Sequence, residues 1–135
     1  RGVDVGASYG FQYIFDEASK ERFTDSPAHK VTLWTQLRTR LGLDLGLALH
    51  YVSEQQWIEP VPDPNEPSGF LTDPLPVSAS LVIAGRVGYR LLGDSLELAL
   101  SGANLADTGS NRHREHPFGN RLEARVLGSV TARFE

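Results

Sequence analysis

Strict two-residue alternation is the feature that most constrains what this sequence can fold into. Over residues 3–15, apolar side chains fill every odd position, and the even positions are polar or small apart from Ile14. Successive side chains of a β-strand point to opposite faces, so the pattern predicts a strand with one wholly apolar face. The apolar positions are Val3, Val5, Ala7, Tyr9, Phe11, Tyr13 and Phe15.

Five further segments alternate in the same way, and none has the 3.6-residue period of a helix. The second segment is the weakest, with Val31, Leu33 and Leu37 opposite Lys30, Gln36 and Arg38. The apolar positions of the other four are Leu43, Leu45, Leu47, Leu49 and Tyr51; Leu81, Ile83, Val87, Tyr89 and Leu91; Leu96, Leu98 and Leu100; and Leu122, Ala124, Val126, Val130, Ala132 and Phe134.

Short and long connections alternate between these segments. Tight turns at residues 40–42 and 92–95 are interleaved with long polar or proline-rich stretches at about 16–29, 58–76 and 107–120. Loops longer than about 12–15 residues are uncommon in compact domains. The sequence therefore predicts an all-β fold: an antiparallel up-and-down meander of about six strands with every long loop at one end. This arrangement is typical of a transmembrane β-barrel with long extracellular loops and short periplasmic turns.

Composition excludes several other classes. The 135 residues suit one domain, and the net charge of -4 gives no basic field for nucleic acid. Cysteine is absent, which removes disulfide scaffolds and thiolate sites. No apolar run is long enough for a transmembrane helix. No nucleophile triad, phosphate loop or paired carboxylate motif is present, so we expect no enzyme, no catalytic residue and no cofactor.

A soluble β-sandwich or lipocalin-like barrel would also alternate. The membrane interpretation is favoured because the apolar positions carry no charge, whereas the opposite positions mix both charge signs with Gly, Ser and Ala. Aromatic residues also lie near the predicted strand ends, as interfacial girdles require. These are Tyr13, Phe15, Tyr51 and Trp57 on the long-loop side, and Tyr89 and Phe134 on the turn side.

Three stretches resemble the C-terminal barrel region of TonB-dependent outer-membrane receptors: "SPAHKVTLWTQLR", "DSLELALSGANLAD" and "NRHREHPFGNRLEARVLGSVTARF". The Asn-Leu-x-Asp at residues 104–107 resembles the end of that family's penultimate strand. The Gly-x-Val-x-apolar-Arg-Phe at residues 128–134 resembles its closing strand. Glu135 departs from the pattern, since the family usually ends on the aromatic residue.

The resemblance implies that residues 1–135 are the last six strands of a barrel of roughly twenty-two. The plug and TonB box of such a receptor would be absent from this chain. The implied function is TonB-energised uptake of a scarce ligand, such as a ferric siderophore, across the outer membrane of a Gram-negative bacterium. The implied partners are outer-membrane lipid, the barrel-assembly machinery, TonB and a small-molecule ligand such as a metal chelate. Alternatives are a small stand-alone outer-membrane barrel with a structural or adhesive role, and a soluble β-barrel binding module.

Two sets of residues are candidates for function. In the closing strand the resemblance assigns an assembly signal to Gly128, Val130, Ala132 and Phe134. In the third long loop, a locally basic cluster would suit an anionic ligand. Its members are Arg112, His113, Arg114, His116 and Arg121. We assign no metal site, because the two histidines are spaced in a loop without helical geometry.

Two structural predictions accompany these assignments. Charged residues of the polar positions, from Arg38 to Arg133, are expected to form cross-strand ladders. Six strands would leave too little room inside a closed barrel for these long side chains. We therefore predict that this chain alone forms an open sheet.

Overall fold

The computed structural model describes residues 2–18, 20–58, 60–71, 74–107, 114 and 117–134, and within these ranges it is a β structure without α-helix. A single 3₁₀ turn covers Leu92–Asp94. In chain order the strands are β1 (Gly2–Phe11), β2 (Ile14–Asp16), β3 (Glu21–Phe23), β4 (His29–Arg38), β5 (Leu43–Val52), β6 (Gln55–Trp57), β7 (Val61–Pro62), β8 (Phe70–Leu71), β9 (Leu75–Val77), β10 (Ser80–Leu91), β11 (Leu96–Ala103) and β12 (Arg125–Ala132).

Six long strands form one antiparallel sheet in the order β1-β4-β5-β10-β11-β12. Each strand is the neighbour of the next long strand along the chain, so the predicted six-stranded meander is confirmed. β1 and β12 lie at the two edges and do not pair with each other. The sheet is therefore open, as predicted. The turns β4–β5 and β10–β11 lie at one end of the sheet, and three long connections lie at the other: loop A (residues 12–28), loop B (53–79) and loop C (104–124).

The predicted first strand, residues 3–15, is wrong in one respect, because it is two strands. β1 ends at Phe11, opposite His29 of β4. The next pairing, Ile14 with Phe23, belongs to the separate β2–β3 hairpin. Two residues on one side of this break face five on the other, so the ladder cannot continue in register. Ile14, the exception to the alternation, is the residue at which the new strand starts.

Loop B also contains strands that the sequence pattern did not reveal. β6 pairs with β9, and β7 pairs with β8. The β6–β9 register, Gln55 opposite Val77, continues the β5–β10 register, Tyr51 opposite Leu81. The hairpin of β5 and β10 thus extends beyond the end of the main sheet.

Cross-strand register brings the predicted apolar positions that lie within the six strands onto one face of the sheet. One row runs through Val3, Leu37, Leu45, Val87, Leu100 and Gly128. Among the residues of the six strands, this apolar face carries no Asp, Glu, Lys or Arg, and its few polar members include Thr35 and His29. The opposite, polar face carries all the charged residues of these strands.

Neither face of the sheet is covered by another layer of the described residues. Among the residues whose side chains are described, the buried aliphatic ones are Val77 of loop B, 7% exposed, and Pro27 of loop A. The chain exposes 9694 Å², against roughly 7,000 Å² expected for a compact folded monomer of its mass. The described residues therefore form no extended hydrophobic core, and they leave the apolar face of the sheet uncovered.

One large side chain on each face is accommodated by glycine. Trp34, an apolar exception on the polar face, lies over Gly6 of β1, where a β-carbon would overlap the indole ring. On the apolar face, Leu105 lies over Gly102, and a β-carbon there would be 2.6 Å from its Cδ2. These small residues let a bulky neighbour lie flat on the sheet without bending the strands.

Candidate functional site

Three of the five residues in the predicted basic cluster of loop C are not among those that the structure describes. Arg112, His113 and His116 fall outside the described residues. Arg114 is half-buried, and its Nη1 donates a hydrogen bond to the Pro117 carbonyl oxygen at 3.1 Å. Arg121 is exposed. The five-residue ligand cluster therefore stays a prediction.

The predicted assembly-signal residues share one side of the open edge. Gly128, Val130 and Ala132 of β12 pair with Leu100, Leu98 and Leu96 of β11 on the apolar face. Val130 is 71% exposed, and Phe134, two residues beyond the end of β12, is 94% exposed. These apolar side chains are presented to the surroundings and contribute little to packing within the chain.

Among the described residues, a cleft of about 640 Å³ lies between loops A and B. Its size falls within the range of ordinary small-ligand sites. One wall comes from the end of β1 and from loop A, and the other from the β5–β6 and β9–β10 junctions of loop B. The lining residues used below are Phe11, Tyr13, Arg22, Thr24, Ser26 and His29 on the first side, and Ser53, Glu54, Gln55, Gln56, Val77 and Ser78 on the second.

The base of the cleft is the end of the apolar face. Phe11 and His29 line the cleft and are directly paired across β1 and β4. Their ring centroids are 5.3 Å apart. One step along the face, the Tyr9 ring stacks on His29, and the Tyr9 hydroxyl is 2.9 Å from its Nδ1. An aromatic track therefore runs from the apolar face into the cleft.

A cation and an aromatic ring are held together on the loop A wall. The Arg22 guanidinium lies over the Tyr13 ring, 5.3 Å from its centroid. This cation–π contact covers one face of Tyr13 and orients the guanidinium. Tyr13 lies at the long-connection end, as predicted; its place at a membrane interface stays a prediction.

Backbone hydrogen bonds tie the two walls together. The Gln56 amide donates to the Thr24 carbonyl at 2.8 Å, and the Thr24 hydroxyl donates to the Gln56 carbonyl at 3.1 Å. Closer to the sheet, the Ser53 amide donates to the His29 carbonyl at 2.9 Å, and the His29 amide donates to the Ser53 hydroxyl at 3.1 Å. Paired hydrogen bonds thus join the two walls of the cleft at two places.

The side chains of the cleft are chemically mixed and balanced in charge. Arg22 and Glu54 are its one arginine and one acid, with no lysine in the lining. Six of the lining residues are uncharged hydrogen-bonding types: Thr24, Ser26, Ser53, Gln55, Gln56 and Ser78. Hydroxyls and amides both donate and accept, so such a surface suits a ligand that does the same.

Sequence reasoning missed this cleft because its residues come from segments about thirty positions apart and share no motif. The sequence contains only a weak signal from which the cleft could have been predicted. Tyr13 was predicted to lie near a strand end on the long-loop side, but only the register of β1 with β4 brings Phe11 onto His29.

The predicted charge ladder on the polar face is confirmed in part: Arg38, Arg86, Glu97 and Arg133 take part in ion pairs. Glu97 of β11 forms ion pairs with Arg86 of β10 and with Arg133, the latter at 3.3 Å. Arg38 and Asp44 pair at 3.7 Å across β4 and β5. These contacts link neighbouring strands and offer no arrangement for catalysis.

Comparison with known proteins found no matching family model, curated protein or solved structure. Within the described ranges there is no group of three His, Asp or Glu residues that could hold a metal ion. No helix among the described residues is long and apolar enough to cross a membrane.

Proposed function

We propose that this chain is part of the β-barrel wall of a TonB-dependent outer-membrane receptor and serves the energised uptake of a scarce small molecule. The observation that carries the proposal is the continuous apolar face of the six-stranded sheet. Exposed apolar patches beyond a few hundred Å² are unusual on soluble monomers. Lipid is the environment that accepts such a face over its whole length, because the backbone groups of the four inner strands are already paired within the sheet, and those at the two edges would pair with further strands of a barrel.

The opposite face supports the same assignment. It carries ion pairs, glycine and small side chains, as expected of a wall that faces water or a plug. The free edges of β1 and β12 offer pairing sites for further strands of a larger barrel. A soluble binding module would need a second layer over the apolar face, and none of the described residues forms one.

The test is a cysteine scan, to which this chain contributes no native cysteine; any cysteine elsewhere in the intact protein is first replaced by serine. In the intact protein in whole cells, Ser68→Cys, in the β7–β8 hairpin, should react with a membrane-impermeant maleimide. Arg40→Cys, in the β4–β5 turn, should react only after the membrane is permeabilised. Labelling of Arg40→Cys from outside, or no labelling of Ser68→Cys, would contradict the proposed orientation.

The same scan examines the two faces. A nitroxide label attached to Leu47→Cys should show faster spin relaxation with oxygen, which concentrates in lipid. A label attached to Ala48→Cys should instead show faster relaxation with a water-soluble nickel complex. Equal access of the nickel complex to both would support a soluble module instead.

The receptor role has its own test. A strain lacking this gene and a strain lacking TonB should lose growth on the same limiting nutrient, with no additional loss in the double deletion. An additive defect would leave a membrane barrel that is not TonB-dependent, and the stand-alone barrel would then be the better proposal.

A further inference from the structure

We propose that the cleft between loops A and B binds the uncharged saccharide headgroup of a lipid whose acyl chains lie along the apolar face. This inference rests on the proposed function, because it places the apolar face in the membrane. It adds a lipid site on the outer wall of the barrel, separate from the ligand that the receptor would transport.

The position of the cleft, at the end of the apolar face, favours an amphiphilic ligand. Phe11 and His29 belong both to the apolar face and to the lining of the cleft. Tyr9 continues the same aromatic track towards the middle of the sheet. A molecule in the cleft is therefore in contact with the end of the membrane-facing surface, at the level where aromatic residues with polar tips meet lipid headgroups.

The side chains that line the cleft favour an uncharged saccharide headgroup. A phosphate or carboxylate headgroup would favour an excess of cationic side chains. Here Arg22 is balanced by Glu54, and most of the remaining polar groups are hydroxyls and amides. A saccharide presents hydroxyls that donate and accept, together with C–H surfaces that pack on rings such as Phe11.

The hydrogen-bonded walls of the cleft lower the free-energy cost of binding a lipid headgroup. Paired hydrogen bonds between Thr24 and Gln56, and between His29 and Ser53, hold the two walls in place. Binding then costs little ordering of the loops. The acyl chains stay in the bilayer throughout, so only the headgroup exchanges water for protein.

The experiment uses the intact protein in nanodiscs containing equal amounts of three lipids with identical acyl chains: monoglucosyldiacylglycerol, phosphatidylglycerol and phosphatidylcholine. Native mass spectrometry after partial release of lipid measures which of them is retained. We expect several-fold enrichment of the glucosyl lipid over both phospholipids. Preferential retention of phosphatidylglycerol, or no preference among the three, would overturn the proposal.

Variants locate the site. Glu54→Ala and Tyr13→Ala should each reduce the enrichment about tenfold, the typical loss for a hydrogen bond to a charged group or for a ring contact. Phe70→Ala, at an exposed ring of the β7–β8 hairpin outside the cleft, is the matched control and should retain the enrichment. Enrichment that survives both cleft variants would also overturn the assignment.

A further arm separates a lipid from a free sugar. Soluble glucose and maltose should not displace the lipid at millimolar concentration, since they lack the acyl chains that anchor it; full displacement would assign the cleft to soluble saccharides and reject the lipid. The membrane topology from the cysteine scan is measured independently, so failure of this inference is distinguishable from failure of the proposed function.

Discussion

The two faces of the main sheet are made by the same six strands, yet they differ in every property that matters for solvation. The apolar face has no charged residue on any strand, whereas the polar face pairs Arg38 with Asp44 and places Glu97 between Arg86 and Arg133. In a soluble sandwich both sheets bury one face and no apolar layer is left open. Here the described residues leave the apolar layer open, and the proposed function assigns the two faces to two environments, lipid and water.

The largest effect should come from a charge on the apolar face. Leu47, in the middle of β5 and 45% exposed, would lie at mid-bilayer depth. Leu47→Arg should destabilise the assembled protein by about 2–4 kcal/mol. Denaturant unfolding in lipid vesicles, followed by tryptophan fluorescence, measures the change in free energy of unfolding.

Ala48→Arg is the matched control for that substitution. It adds the same charge one residue away, on the polar face, and should cost much less. Equal costs, or a larger cost for Ala48→Arg, would mean that the faces are inverted and that the apolar face is the core of a soluble fold.

The next largest effect tests how the polar face accommodates the Trp34 ring. Gly6→Ala would force the Trp34 indole to move, whereas Gly10→Ala, on the same strand and face, adds a β-carbon with nothing within 4 Å. We expect Gly6→Ala to be less stable than Gly10→Ala by about 1–2 kcal/mol. If Trp34→Ala fails to remove the difference in unfolding free energy, the indole does not lie over Gly6.

A smaller effect is expected from the ion pairs. The Glu97 side chain is 14% exposed, but the side chains of Arg86 and Arg133 are 40% and 55% exposed, and solvent screening weakens the pairs. Glu97→Gln should cost about 0.5–1 kcal/mol and should cost less in high salt. Asp44→Asn, which removes one longer pair, is the control. A loss above that of Leu47→Arg would contradict a water-exposed polar face.

The smallest effect on stability should come from Phe134. The side chain makes few contacts, so Phe134→Ala should change the unfolding free energy by less than about 0.5 kcal/mol. The amount of heat-modifiable folded protein in the outer membrane should nevertheless fall, since the resemblance assigns this residue to recognition during assembly. Normal assembly of the variant would leave Phe134 as an interfacial aromatic residue only.

Much of the main sheet could be predicted from the sequence. Alternation with a period of two is a local property, and it identified the six long strands and the face on which each side chain lies. The bounds of β10, at Ser80 and Leu91, coincide with the predicted segment. The alternation of tight turns with long connections gave the meander.

The cleft and the hairpins of the long loops could not be predicted in this way. Their geometry depends on the five-against-two mismatch that separates β2 from β1, and on the bonds between Thr24 and Gln56, which join segments far apart in the chain. A local sequence period does not encode contacts between segments that are far apart in the chain.

What the sequence by itself determined is therefore which side of each strand is apolar. Which residues become neighbours across strands was decided by the tertiary structure: Trp34 over Gly6, Phe11 against His29, and Glu97 between two arginines. The physical reason is that side-chain direction follows from the backbone of one strand alone. Register and loop contacts are set by hydrogen bonds between segments that the chain brings together only on folding.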